Sequence, residues 1–282
     1  MPGFPIIDAH LHLWDPDNLR YPWLDNKEKL NRTFLLRDYD NATESLQVEK
    51  MVFVQCECIV SQCELEVAWA TSLAKLDTRI QGVVPLAPLE QADVIETLER
   101  YATNPLIKGI RRIIQFESDP EFCLKPEFIR GVQLLGRFNF TFDICINWKQ
   151  LPQTIALVSK CPDVKFMLDH IAKPDIKNKQ QDSWRRDIQR LAAFPNVFCK
   201  LSGLVTEADF VKWTPDDLKP YVGHILDCFG VHRLVFGGDW PVVTQAATLR
   251  QWVDTLDGIL GHLSQDELRS IYRENAARFY RL

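Results

Sequence analysis

Eight short apolar runs, rich in β-branched residues, recur along the chain at 5–13, 50–56, 80–88, 107–114, 141–146, 164–170, 196–202 and 233–241. Their starts lie about 32 residues apart on average, the length of one strand–helix unit. The intervening segments carry apolar residues at helical spacing, as in Leu65, Trp69, Leu73 and Leu76, or Phe128, Val132, Leu135 and Phe138. Helix starts are punctuated by Leu151-Pro152, by Thr214-Pro215-Asp216-Asp217, and by Ser264 with Glu267 three residues later as a capping box. Strands that are apolar almost throughout suit a parallel sheet covered on both faces. Eight such units in 282 residues predict a single-domain α/β protein, a (β/α)8 barrel over residues 1–282. The rival, an open doubly wound sheet, needs a Gly-rich phosphate turn after the first strand, where this chain has His10-Leu11-His12-Leu13-Trp14. One connection is exceptional. From Trp14 to about residue 40 the chain is Pro-punctuated and aromatic through Tyr21-Pro22-Trp23, and such a segment over the C-terminal rim of a barrel predicts a lid.

The charge balance narrows the partners. Lys and Arg total 33 against 38 Asp and Glu, a net charge of −5, which offers no basic face for a phosphate backbone, so no nucleic-acid partner is expected. No apolar run approaches the ~20 residues of a membrane-spanning helix. The opening MPGFPIIDAH lacks the charged and apolar regions of a secretion signal, so a cytoplasmic protein with no membrane partner is expected. The 8 cysteines are dispersed without a CxxC pair and read as reduced. Cys56-Glu57-Cys58 with Cys63 is the one local thiol group, but Cys56 ends a strand-like run and Cys63 opens a helical one, which argues against a zinc site there. The Asn-x-Thr triplets at Asn31, Asn41 and Asn139 read as accidental without a secretion signal.

Candidate chemistry gathers at strand ends. Asp8-Ala9-His10-Leu11-His12 ends the first run, and side-chain alternation puts His10 and His12 on one side of the strand. Two imidazoles so placed can share a cation; equally, they can pack as hydrogen-bonded core histidines. Asp239, in Gly237-Gly238-Asp239-Trp240-Pro241, ends the eighth run, which in a barrel closes beside the first. Leu168-Asp169-His170 ends the sixth in the same way and brings His170 to the same rim, with Asp169 as an orienting neighbour. His224, His232 and His262 fall in helical segments or turns, and no role is expected of them.

The segments IDAHLHLWDP, YPWL, KGIRR, FDICI, LDHIAKP, PNVFCKLSGL and FGGDWP, in this order, closely resemble the amidohydrolase-2 branch of the amidohydrolase superfamily. That branch includes L-fucono- and L-rhamnono-lactonases and the 2-pyrone-4,6-dicarboxylate lactonase, and the resemblance spans essentially the whole chain. It implies a distorted (β/α)8 barrel of the metal-dependent hydrolase type. By motif, it places the first-strand HxH on His10 and His12, the sixth-strand histidine on His170, the eighth-strand aspartate on Asp239 and the fourth-strand arginine on Arg111. Arg112 falls at a more variable position, and alternation with Gly109 and Ile113 favours Arg111 as the one facing the lumen. Binuclear relatives carry a bridging lysine or glutamate on the fourth strand and a histidine on the fifth. IKGIRRII and TFDICIN offer neither, which argues against a two-metal amidase and against a zinc decarboxylase of the aminocarboxymuconate-semialdehyde type. Gly238 also departs from the more usual serine, a change expected to act on packing.

Together these readings predict an enzyme, a hydrolase of carboxylic ester bonds that opens a small sugar-derived lactone to its hydroxy acid. Asp239 is the expected general base, and His170 the residue that polarises the carbonyl or fixes the water. His10, His12 and Asp239 are the expected ligands of one divalent metal, zinc first, although some relatives orient water with the same four side chains and no metal, and the sequence leaves both open. Arg111 and Lys173 are expected to bind substrate oxygens, and Trp14 and Trp240, ahead of Trp23 and Trp148, to wall the sugar ring. The expected partner is a small polar lactone or carboxylate; a homo-oligomer stays open. Two other readings are a decarboxylase of a small aromatic or unsaturated acid, marked by carbon dioxide release, and a non-catalytic barrel that holds a sugar acid. The last is disfavoured, because four ionisable groups on one rim are costly to keep for binding alone.

Overall fold

Each apolar run becomes a parallel strand in the computed structural model, which describes residues 2–282. The strands are β1 (Ile6–Leu11), β2 (Val48–Val54), β3 (Ile80–Val84), β4 (Gly109–Ile110), β5 (Thr141–Ile144), β6 (Phe166–Leu168), β7 (Val197–Leu201) and β8 (Leu234–Phe236). They alternate with helices α1 (Leu36–Thr43), α2 (Cys63–Leu76), α3 (Val94–Ala102), α4 (Pro126–Arg137), α5 (Leu151–Ser159), α6 (Asp182–Ala192), α7 (Pro215–Phe229) and α8 (Leu249–Ile259). Two short helices, α9 (Gln265–Arg269) and α10 (Asn275–Tyr280), complete the chain. The strands form two parallel arcs, β1-β2-β3 and β4 to β8 in order. Parallel bridges Leu11↔Trp240 and Val83↔Ile107 join the arcs at both seams, with His12 N donating to Trp240 O at 2.8 Å and Lys108 N to Val83 O at 3.0 Å. The arcs therefore make a ring.

Alternation along the strands sorts side chains into two cores. Met51, Phe53, Phe142, Phe166, Leu168, Leu234 and Phe236 face the helices. Ile7, Ala9, Val52, Val54, Val84, Met167 and Val235 face inward, where α10 plugs the lumen with Ala276, Phe279 and Tyr280. Capping follows the sequence. Thr214 N donates to Asp217 Oδ2 at 2.9 Å at the start of α7, and Ser264 N donates to Glu267 Oε2 at 2.8 Å at the start of α9.

Two expectations need correction. The run 107–114 yields a strand of only two residues, because Pro85 has no N–H with which to continue the ladder beside it; Arg111 N donates to Pro85 O at 2.9 Å and the chain then leaves the sheet. The lid is also shorter than the span to residue 40. The loop ends at Leu35, whose N–H is accepted by Asp38 at 2.9 Å, and α1 starts at Leu36. Within the loop, Trp14 and Phe34 form an antiparallel bridge. Among the described residues no helix is long and apolar enough to cross a membrane.

Candidate active site

The pairing of β1 with β2 shifts register between Asp8 and Leu11. Ile7 and Ala9 face the inner core below this irregularity; above it His10 and His12 do, and their Nε2 atoms lie 3.1 Å apart. At the other seam, Asp239 has a left-handed φ of 53° and its N–H donates to His10 O at 2.9 Å. Gly238 makes this approach feasible. Its N–H donates to Asp8 Oδ1 at 2.7 Å, and a Cβ there would lie 2.4 Å from Asp8 Oδ2, so any side chain at this position would need a rearranged Asp8. Asp8 in turn accepts from Tyr39 OH at 2.8 Å, which ties α1 to the same rim.

His170 arrives by a different device. His170, Ile171, Ala172 and Lys173 all have positive φ, from 46° to 64°, forming one left-handed turn after β6. Such backbone is unfavourable for L-residues, and tertiary contacts hold it: Trp184 Nε1 donates to Ile171 O at 2.8 Å, and His170 Nδ1 shares a 2.9 Å hydrogen bond with Ser202 Oγ. The turn sets His170 and Lys173 on one side, both against the cavity. Asp239 Oδ1 is 3.6 Å from His12 Nε2, 3.8 Å from His10 Nε2 and 3.9 Å from His170 Nε2.

Burial depresses all three imidazoles, His10 well below the ordinary value and His170 to about 4, so they are neutral at pH 7. Burial alone would raise Asp239, but His170, His12 and Lys173 outweigh it and hold the carboxyl below its usual value. The centre is thus a carboxylate facing three neutral rings.

Below it lies a charged layer that the sequence reading did not anticipate. Lys200, fully buried, ion-pairs with Asp143 at 2.9 Å and Asp169 at 2.8 Å. The C-terminal Tyr280 donates to Asp143 Oδ2 at 2.6 Å. Burial opposes the Lys200 ammonium, and the two carboxylates hold its pKa above the ordinary lysine value. A signal for this layer was present. Asp143 and Lys200 stand at inward positions of otherwise apolar runs, where a lone charge has to find a partner inside the barrel.

A cavity of about 300 Å³ opens over these groups at the C-terminal ends of the strands, lined by His12, His170, Asp239, Arg111 and Lys173 from the expected set. His10 lies beneath its floor. Arg111 faces inward, with Nη2 donating to Gln55 O and Nη1 3.4 Å from Asp169, while Arg112 turns away to Glu90 and Glu117. Trp14 and Trp240 are buried away from the cavity. Trp14 Nε1 donates to Arg32 O at 2.9 Å within the lid, and Trp240 packs against Phe34 and Tyr39. Trp23 lines the wall instead, its Nε1 donating to Cys56 O at 2.7 Å. Glu57, at the tip of β2 with φ 57°, also lines the cavity and accepts from Gln55 Nε2 at 2.8 Å.

The donor set suits a divalent metal. His10, His170 and Asp239 bring ligand atoms within 4.8 Å of one another. The 3.1 Å separation of the His10 and His12 nitrogens is close to the roughly 3.3 Å edge of a tetrahedron with zinc–nitrogen bonds of 2.0–2.1 Å.

The sequence profile of the family described as Amidohydrolase matches residues 7–282. An L-fucono-1,5-lactonase from Burkholderia multivorans is 31% identical, over 98% of this chain and 96% of its own length. An L-rhamnono-gamma-lactonase from Scheffersomyces stipitis is 24% identical over the full length of both. A crystal structure of an amidohydrolase from Burkholderia multivorans with bound zinc superposes with a TM-score of 0.91 at 29% identity, covering 99% of this chain and all of that one. A match that runs from the first strand to the last residue, on a barrel of the same order, leads to one conclusion: the chain belongs to the amidohydrolase family.

Proposed function

We propose that the chain is a lactonase, a hydrolase of carboxylic ester bonds that opens an aldonolactone to its hydroxy acid. The observation that carries this reading is the ionised Asp239, less than 4 Å from three neutral imidazoles at the floor of a cavity sized for a monosaccharide ring. The lactonase names of the relatives support it.

Asp239 takes a proton from a water as that water attacks the lactone carbonyl. His170, held by Ser202 and by the left-handed turn, fixes the water or polarises the carbonyl. Lys173, on the same turn, faces the oxyanion and then the product carboxylate. The proton on Asp239 passes to the ring oxygen as the C–O bond breaks, so water and lactone give one hydroxy acid. Arg111 acts as a fixed positive charge in the wall, its inner nitrogens already turned to Gln55 and Asp169. Trp23 takes the walling role expected of Trp14 and Trp240. His10, His12 and Asp239 are the residues that would hold one zinc ion, which when bound lowers the pKa of water and stabilises the oxyanion. Free thiols throughout suit a reducing compartment, so the cytoplasm is part of the reading.

The test is proton release, followed with a pH indicator, from fresh aldono-1,5- and aldono-1,4-lactones at varied enzyme concentration. Turnover proportional to enzyme and well above spontaneous opening is expected. Silence across the panel, with carbon dioxide released from a small aromatic acid, would replace the lactonase by a decarboxylase.

A further inference from the structure

Two carboxyl groups face the cavity without a partner of opposite charge, and neither takes part in the hydrolysis. Glu57 follows β2 and Glu207 follows β7. In the ring β2 neighbours β1 and β7 neighbours β8, so the pair flanks the seam that carries His10, His12 and Asp239. Among the described residues neither carboxyl forms an ion pair, although Lys27, Arg111 and Lys173 line the same cavity.

Each is held by its own segment rather than by a counter-charge. Glu57 has a left-handed φ of 57°, and reciprocal contacts with Gln55 lock it there: Glu57 N donates to Gln55 Oε1, and Gln55 Nε2 donates to Glu57 Oε1 at 2.8 Å. Gln55 is fixed in turn, since its carbonyl accepts from Arg111 Nη2. This leaves Glu57 Oε2 to the cavity. Glu207 is held through its main chain, its N–H donating to Leu204 O and its carbonyl accepting from Lys177 N, both at 3.1 Å. Its carboxyl has no hydrogen-bond partner among the described residues, and burial raises its pKa against the pull of Lys173. A half-buried carboxyl oxygen without a donor is costly unless a ligand supplies one, so the ligand that suits both walls is a donor of hydrogen bonds.

The charges of the lining balance, with Lys27, Arg111 and Lys173 against Glu57, Glu207 and Asp239. Lys27 stands exposed on the lid, Arg111 is turned to Gln55 and Asp169, and Lys173 is committed to the oxyanion. Neither cation inside the cavity is therefore left for a second carboxylate on the substrate. We propose that Glu57 and Glu207 are specificity-determining residues: they accept from ring hydroxyls of a neutral polyhydroxylated lactone and exclude a lactone that carries a further carboxylate. A hydroxyl donates to either carboxyl, whereas a carboxylate brought to the same place has no proton to donate and meets like charge in a site shielded from water. The proposal rests on the lactonase reading for its chemistry.

Neutral aldono-1,4-lactones and the matching aldaro-1,4-lactones, which differ by a terminal carboxylate, give the comparison. The unaltered protein should favour the neutral member by at least about 100-fold in kcat/KM. Glu57→Gln and Glu207→Gln keep the shape and one acceptor oxygen while removing the charge. Each should raise KM for the neutral lactone roughly 10-fold, the loss expected of a charge-assisted hydrogen bond, and cut the preference by a similar factor. Damage to the fold would instead lower turnover of both lactones together and leave their ratio alone. If one variant fails to fold, the other carries the comparison. A preference for the aldarolactone in the unaltered protein, or an unchanged ratio in a folded variant, overturns the proposal. Calorimetry with the matching aldono- and aldarolactams, which resist opening, separates it from the lactonase reading. Selective binding of the neutral lactam, lost in the Gln variants, with no lactone turned over would end the lactonase reading and leave the proposal standing; lactams of both kinds bound alike, or not at all, overturn the proposal.

Discussion

Asp239 is the residue on which the site turns, because it alone faces His10, His12 and His170 together. Asp239→Asn keeps the shape and removes the base, so kcat should fall by about 10²–10⁴-fold with KM little changed and the circular dichroism spectrum intact. A folded Asn variant with full turnover would remove Asp239 from the base role. At this scale the sequence was informative where a polar residue ended an apolar run, as His10, His12, His170 and Asp239 all do. It was uninformative about Trp23 against Trp14, since both lie in one aromatic loop and only the fold decides which ring meets the cavity. Lys200 was visible as a lone charge in an apolar run, but its pairing was not. Its partners Asp143 and Asp169 come from other strands, 57 and 31 positions away, and no local pattern joins them.

Among elements, the left-handed turn after β6 and the glycine after β7 act as one support. Gly203 has φ 67°, and a Cβ there would lie 2.6 Å from His170 Nδ1. Gly230 also has positive φ, 63°, yet a Cβ there would meet nothing within 4 Å. The two glycines separate backbone strain from site geometry. Gly230→Ala should lose about 1–3 kcal/mol of stability from backbone strain alone, and Gly203→Ala at least as much because its Cβ also meets His170, both read from urea unfolding. Only Gly203→Ala should also lose activity, by roughly 10²-fold, because it displaces His170. Equal activity in the two variants would show that His170 tolerates displacement. Element order was legible throughout, strand by strand; the brevity of β4 and the early start of α1 were not. Pro85 ends the ladder beside β4 from a neighbouring strand, and the N-cap of α1 is Leu35, whose side chain carries no capping group, so the Asp38 contact to its N–H left no clear start signal in the sequence.

The whole barrel stacks an apolar floor, a charged layer and an open polar rim, and the ring of helices is lashed to that rim by a buried carboxylate. Glu66 on α2 is 1% exposed and accepts from Cys56 N at 3.1 Å, at the top of β2. Burial pushes its pKa up from 4.5 to about 7, against the pull of Cys56 N–H and Arg111. The sign follows from linkage. Below pH 4.5 the folded and unfolded states both hold the proton and there is no penalty. As pH rises towards 7 the unfolded chain ionises while the folded one resists, so stability is lost across that window and the loss is complete above it. A shift of this size corresponds to about 3 kcal/mol. Glu66→Gln keeps the acceptor oxygen for Cys56 and removes the titration. The variant should therefore match the unaltered protein near pH 4.5 and gain on it steadily up to about pH 7, after which the difference in unfolding free energy stays level. A difference that does not change with pH would place the ionisation of Glu66 outside the stability of the barrel, and a difference of opposite slope would mean that Arg111 outweighs burial and holds the carboxylate charged.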